Sequence, residues 1–106
     1  MEELKGSQKK YLRGLAHGLN PSALVGHKGV TPSLIEEINT ALDASELIKV
    51  KFVDFKEKDQ KNELSQQIAE QTRSRIAGMI GHVVILFRQN TDEQKRQIKL
   101  PQNTKQ

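Results

Sequence analysis

SALVGHKGVTPSLIEEINTAL, residues 22 to 42, holds a strand, a turn and a helix start in one run, and the fold follows from how it is read. SALV (22–25) reads as a short strand that enters a loop with a glycine at each end, Gly26-His27-Lys28-Gly29. Thr31 can cap the helix that follows, with Pro32 at its first position, where a missing N–H does no harm. The alternative cap is Ser33, with Glu36 three residues later completing a capping box. Leu34, Ile35, Ile38, Ala41 and Leu42 then form the buried stripe, and the acids point outward.

The pattern extends in both directions. LIKVKFVDF (47–55) alternates as a strand does, with Ile48, Val50 and Phe52 on one face and Lys49 and Lys51 on the other. The charged turn KEKDQK leads to a third helix from about Asp59, with Leu64, Ile68, Ala69 and Thr72 as its stripe. Periodicity could carry that helix to Ile80, while Gly78, Gly81 and the run IAGMI equally allow a short strand. HVVILFR (82–88) is apolar at nearly every position, as in a strand covered on both faces. A polar loop, QNTDEQKRQ, then precedes IKL (98–100), expected as a brief edge strand.

Upstream, Leu4, Tyr11, Leu12, Leu15, Ala16 and Leu19 fall on one side of a helical wheel, and Tyr11, Leu12 and Leu15 are assigned to the core. Lys9, Arg13 and His17 make a stripe on another side, with Lys10 beside it, and Gly18, Asn20 and Pro21 stop the helix. The order of helices and strands predicts an α/β fold: one compact domain over residues 1–101, with a mixed sheet, and a flexible tail over 102–106.

Composition narrows the function. A chain of 106 residues without cysteine has neither disulfides nor thiolate metal sites. VVILF (83–87), its longest apolar run, is too short to span a bilayer, and MEELKGSQKK has no apolar stretch behind its lysines, so a soluble, cytoplasmic protein is expected. Seventeen Lys and Arg against thirteen Asp and Glu leave a charge of +4. Residues 34–46 carry four acids (Glu36, Glu37, Asp43, Glu46) and no base, whereas residues 1–33 carry five bases against two acids. That segregation suggests a basic face and a face that avoids polyanions.

The loop supplies chemistry for such a face. Glycines let backbone approach a ligand, and a helix amino terminus attracts anions. Lys28 adds a mobile cation. The glycine spacing fits neither a nucleotide-triphosphate loop nor a dinucleotide fingerprint. GxxG also matches ordinary turns; its weight comes from Lys49, Lys51 and Arg88 at strand positions and from Lys9, Lys10 and Arg13 on the first helix, which together could line a groove for a nucleic-acid backbone. His17, His27 and His82 match no metal-ligand spacing, and no carboxylate pair or hydroxyl sits in a catalytic setting, so neither a metal nor an enzyme activity is expected. The aromatics are Tyr11, Phe52, Phe55 and Phe87, with Phe55 the one candidate for an exposed platform, so contacts to phosphate and shape should dominate over base readout.

LKGSQKKYLRGLAHGLNPSALVGHKGVTPSLIEEI, with the later IGHVVILFR and IKLP, resembles the CRM domain (chloroplast RNA splicing and ribosome maturation), above all its stand-alone bacterial YhbY-like members. The resemblance runs over about residues 3 to 101. It implies a compact α/β fold related to the C-terminal domain of translation initiation factor three, with four strands and about three helices. It implies RNA as partner, in precursors of the large ribosomal subunit, and a GxxG grip at Gly26, His27, Lys28 and Gly29. The family pattern also places a short strand at about 77–80. Members often carry lysine or another small or basic residue where this chain has His27, so that contact should be weaker near neutral pH. The competing expectation is a protein-interaction adaptor whose glycine loop is only a turn.

Overall fold

The computed structural model describes residues 3–101; the tail expected over 102–106 lies outside the described residues. Among the described residues there are three α-helices, α1 (Gly6–Ala16), α2 (Pro32–Ser45) and α3 (Lys58–Thr72). They accompany four strands, β1 (Pro21–Val25), β2 (Leu47–Phe52), β3 (Arg75–Ile80) and β4 (Val83–Phe87). The strands form one sheet in the order β1-β2-β4-β3. β1 and β2 are parallel, joined through α2, and the other two pairings are antiparallel, so the sheet is mixed as expected.

Strand alternation sends side chains to two cores. Val25, Ile48, Val50, Phe52, Val84 and Leu86 face α2 and α3, meeting Leu34, Ile38, Leu42 and Ile68. Leu47, Ile85 and Phe87 face α1, meeting Leu12 and Ala16. β4 therefore contributes to both cores, which explains why it reads as a continuous apolar run. Thr31 is the cap of α2, its Oγ1 accepting from the Leu34 N–H at 3.1 Å, with Pro32 at the first helical position. Of the two caps the sequence allows, this is the one adopted.

The ambiguous end of α3 resolves by a left-handed residue. Arg73 takes φ +56 and ends the helix, its N–H reaching back to the carbonyls of Ala69 and Glu70. β3 then starts at Arg75, two residues before the position the family pattern implies. It carries a register irregularity between Ile76 and Gly78.

Four expectations need correction. IKL forms no strand; Ile98 and Leu100 pack against the α1-side core, and the N–H groups of Gln97 and Ile98 go to the Glu46 carboxylate (2.8 and 2.9 Å) instead of a ladder. Glu46 itself does not point outward with the other acids. It is fully buried, with φ +64, and also accepts from the Asn90 N–H at 2.6 Å. Tyr11 and Leu15 are not core; they remain 42% and 43% exposed, because an 11-residue α1 turns only Leu12 and Ala16 fully into the sheet. His82 does not begin β4 but occupies the turn before it.

Candidate nucleic-acid interface

Residues 26–29 form a tight turn closed by the Gly29 N–H donating to the Gly26 carbonyl at 2.9 Å. His27 and Lys28 occupy its two corner positions, both exposed. Gly29 has φ +71, a conformation that glycine adopts without strain. Its face is closed by the Phe55 ring, whose Cε2 lies 3.7 Å from where a Gly29 Cβ would stand. Phe55 is thus a half-buried support beneath the loop and not an exposed stacking platform. No partner among the described residues takes the backbone N–H of His27 or Lys28, so both are free to meet a ligand.

The helix amino terminus contributes less than the sequence suggests. Pro32 has no N–H and Thr31 uses that of Leu34, which leaves Ser33 alone among the first three helical residues. Anion contact at this end therefore depends on the turn and on side chains.

Three segments meet at the same end of the sheet. The Val25 carbonyl, just before the turn, accepts from Val53 and Asp54 beyond β2 (3.0 and 3.3 Å). Phe52 at the end of β2 donates to the His82 carbonyl at 2.7 Å in the β3–β4 turn. Lys51 stands in this row, paired in register with Leu24 on one side and Val83 on the other. Lys61 is nearly buried, and its Nζ donates to the Gly81 carbonyl at 2.6 Å and faces His82 Nδ1 at 3.1 Å. Lost hydration, then the charges of Lys61, Lys56 and Lys51, hold the His82 imidazole below its ordinary pKa, which favours the neutral ring. None of Lys51, Lys56 and Lys61 is ion-paired to a carboxylate among the described residues.

Of the residues picked out from sequence, His27, Lys28 and Lys51 are thus gathered with Gly26 and Gly29. The rest are spread out. Lys49 donates to the carbonyls of His17 and Leu19 (3.2 and 3.0 Å), satisfying the end of α1. Arg13 lies flat across β3: it donates to the Ala77 carbonyl at 3.1 Å, and a Cβ on Gly78 would sit 2.6 Å from its Cδ. Lys9 stands beside Glu70, Ser74 and Arg75 at the far end of β3, and Lys10 is its exposed neighbour. Arg88 does not join the basic surface at all. It follows the opposite end of β4 and binds Asn39, the Thr72 carbonyl and Asp43, the last as an ion pair at 2.7 Å. Its charge is committed to joining α2, α3 and β4.

Sequence reasoning missed Lys56, Lys61 and His82. KEKDQK reads as a solvated turn and His82 as a strand residue, and only the β3–β4 turn brings them together. The one signal available was the number of lysines between 49 and 61, five in all (Lys49, Lys51, Lys56, Lys58, Lys61). Among the described residues no cluster of histidine and carboxylate side chains could hold a metal ion, and no helix is long and apolar enough to cross a membrane.

Comparison with known proteins matches nearly the whole chain. The CRS1 / YhbY (CRM) domain model matches residues 4–88. A Bacillus subtilis protein named probable RNA-binding protein YqeI is 38% identical over 98 residues, spanning 92% of this chain and 99% of its own. A Haemophilus influenzae protein named RNA-binding protein is 36% identical over 101 residues, spanning 95% of this chain and 98% of its own. The solution structure of the Staphylococcus aureus protein SAV1595 superposes with a TM-score of 0.78 at 35% identity, covering 92% of this chain and 99% of that one. From Leu4 through the glycine turn to Arg88, this chain belongs to the CRS1/YhbY (CRM) domain family.

Proposed function

We propose that this is a non-catalytic RNA-binding protein of the cytoplasm that associates with precursors of the large ribosomal subunit and assists their assembly. The observation that carries this reading is the exposed His27–Lys28 turn, with free backbone N–H groups, beside lysines that have no carboxylate partner. Uncompensated cations around a rigid, glycine-flanked turn favour a polyanion. The relatives named as RNA-binding proteins make that polyanion RNA. Two of the four aromatics are fully buried, Phe55 supports the turn, and the exposed Tyr11 lies away from it beside Lys99 and Leu100, so the grip at the turn falls on phosphates and on the shape of folded RNA. Ribosomal RNA, highly structured, suits that mode.

The test is fluorescence anisotropy with a fragment of large-subunit ribosomal RNA at two salt concentrations, using wild type and a His27→Asp/Lys28→Asp variant. Wild type should bind, weakening steeply as salt rises, and the variant should lose at least tenfold in affinity while keeping its melting temperature. Equal binding by the two proteins would remove the turn from the function. Enrichment of the protein on large-subunit precursors over mature subunits tests the assembly role separately.

One observation favours the adaptor reading: Tyr11, Leu15 and Leu19 expose a continuous apolar flank of α1 and its exit. Binding to a protein that survives both high salt and loss of Lys28 would establish that reading.

A further inference from the structure

The β3–β4 turn is built more carefully than a simple reversal requires. Lys61 Nζ, on α3, reaches the Gly81 carbonyl and His82 Nδ1. An ammonium has donors and no acceptor, so His82 Nδ1 accepts and the ring proton sits on Nε2. Gly81 takes φ +60, which lets the turn fold over the lysine, and the His82 carbonyl is held by the Phe52 N–H. The imidazole is fixed at one edge by these bonds, while the residue itself stays exposed. A nearly buried lysine is an expensive way to orient a turn residue unless the free edge of that residue has a use.

His82 stands at the same strand ends as the glycine turn: the Phe52 N–H holds its carbonyl, and the Val25 carbonyl, just before the turn, holds Val53 and Asp54 beyond β2. Crossing the sheet from β1 to β3, the register runs Leu24, Lys51, Val83, Ile80, all on the α1 side, beyond the residues α1 itself covers. Leu24 and Ile80 are 55% and 60% exposed. Three inter-strand spacings make this lane about 14 Å long. It has a cationic middle, and the His27–Lys28 turn and the Gly81–His82 turn close the strand ends just beyond it, with Lys61 holding the His82 ring toward the α3 side.

We infer that RNA crosses the strand ends from the Gly26–Gly29 turn to the Gly81–His82 turn, and that His82 is a second contact, donating its Nε2–H to a backbone phosphate. Lys61 is the positioning residue that fixes the tautomer. The inference rests on the RNA-binding function proposed above and adds to it the direction of the strand and a contact outside the glycine loop. A neutral N–H donor does not depend on the ring being charged, so this contact operates at physiological pH.

The test uses the same RNA fragment with His82→Ala and His82→Gln, whose side-chain amide places an N–H near the position of Nε2. His82→Ala should bind about 10- to 100-fold more weakly, the range for losing one hydrogen bond to a charged oxygen. His82→Gln should bind within about twofold of wild type, a rescue that purely structural damage would not show. Nitrogen-15 imidazole spectra at pH 7 should show His82 protonated on Nε2 alone, and protonation on Nδ1 overturns the assignment. If His82→Ala binds as wild type does while His27→Asp/Lys28→Asp fails to bind, the second contact is wrong and the RNA-binding function stands. A glutamine variant as weak as alanine, still folded, refutes the hydrogen-bond donor. If wild type binds no RNA, both proposals fall together.

Discussion

At the scale of single residues, the pair Arg13 and Gly78 shows how a cation picked from a basic stripe can belong to the fold. Arg13 falls with Lys9 and His17 on the helical wheel, yet its stem presses on β3 where only a missing side chain leaves room. Gly78 has an ordinary φ, so alanine there meets no backbone strain; what it meets is Arg13 Cδ at 2.6 Å and Cγ at 3.1 Å. Gly78→Ala should therefore cost about 1–2 kcal/mol by displacing the arginine and breaking its bond to Ala77. In an Arg13→Ala background the same substitution should cost about 1 kcal/mol less, because the obstacle is already gone. Chemical denaturation of the two single variants and the double variant measures that coupling. Additive costs would mean that Gly78 answers to something other than Arg13. A lone glycine inside IAGMI signals a close approach from sequence, but not which side chain makes it.

At the scale of elements, what was legible and what was not follow from how local each cause is. The start of α2 was legible because a cap, a proline and an apolar stripe lie within a dozen residues. β2 was legible from strict alternation, and β4 from its unbroken apolar run. The segment after β4 was not, because its partner is 44 to 52 residues away in the chain. IKL has the composition of an edge strand, but the N–H groups of Asn90, Gln97 and Ile98 are taken by the two carboxylate oxygens of Glu46, whose own backbone carbonyl accepts from Arg88 at 2.8 Å. Nothing in SELIK marks Glu46 as buried or left-handed. Glu46→Ala would strand three backbone donors and should destabilise the domain by about 3 kcal/mol or more. Glu46→Gln keeps an acceptor but turns an NH2 toward one donor, and should cost less. Hydrogen exchange reads the result directly: Asn90, Gln97 and Ile98 should lose protection first in the alanine variant, while the β2–β4 ladder keeps its own until global unfolding. If exchange at those three amides is unchanged, the carboxylate does not hold the segment.

At the scale of the whole molecule, the basic residues divide by where the sheet puts them, and a net charge of +4 hides the division. Lys28, Lys51 and Lys56 belong to the end of the sheet with the glycine turn, while Arg88 belongs to the opposite end and is neutralised by Asp43. Counterion release turns this arrangement into a number. Each phosphate neutralised on single-stranded nucleic acid contributes about 0.7 to the slope of log affinity against log salt. Since a duplex contributes about 0.9, replacing Lys51 and Lys56 together by alanine should flatten the slope for ribosomal RNA by about 1.4 to 1.8, with affinity lost most at low salt. Arg88→Ala should leave the slope unchanged, though it strips the Asn39, Thr72 and Asp43 partners and lowers stability by about 1–3 kcal/mol. The two variants have similar changes in formal charge per residue removed, so a response governed by net charge would move both slopes in proportion. A response governed by position moves only the first. An Arg88→Ala protein that is folded and loses as much slope as one lysine would carry the binding surface to the far end of the sheet and overturn the placement of RNA at the glycine turn.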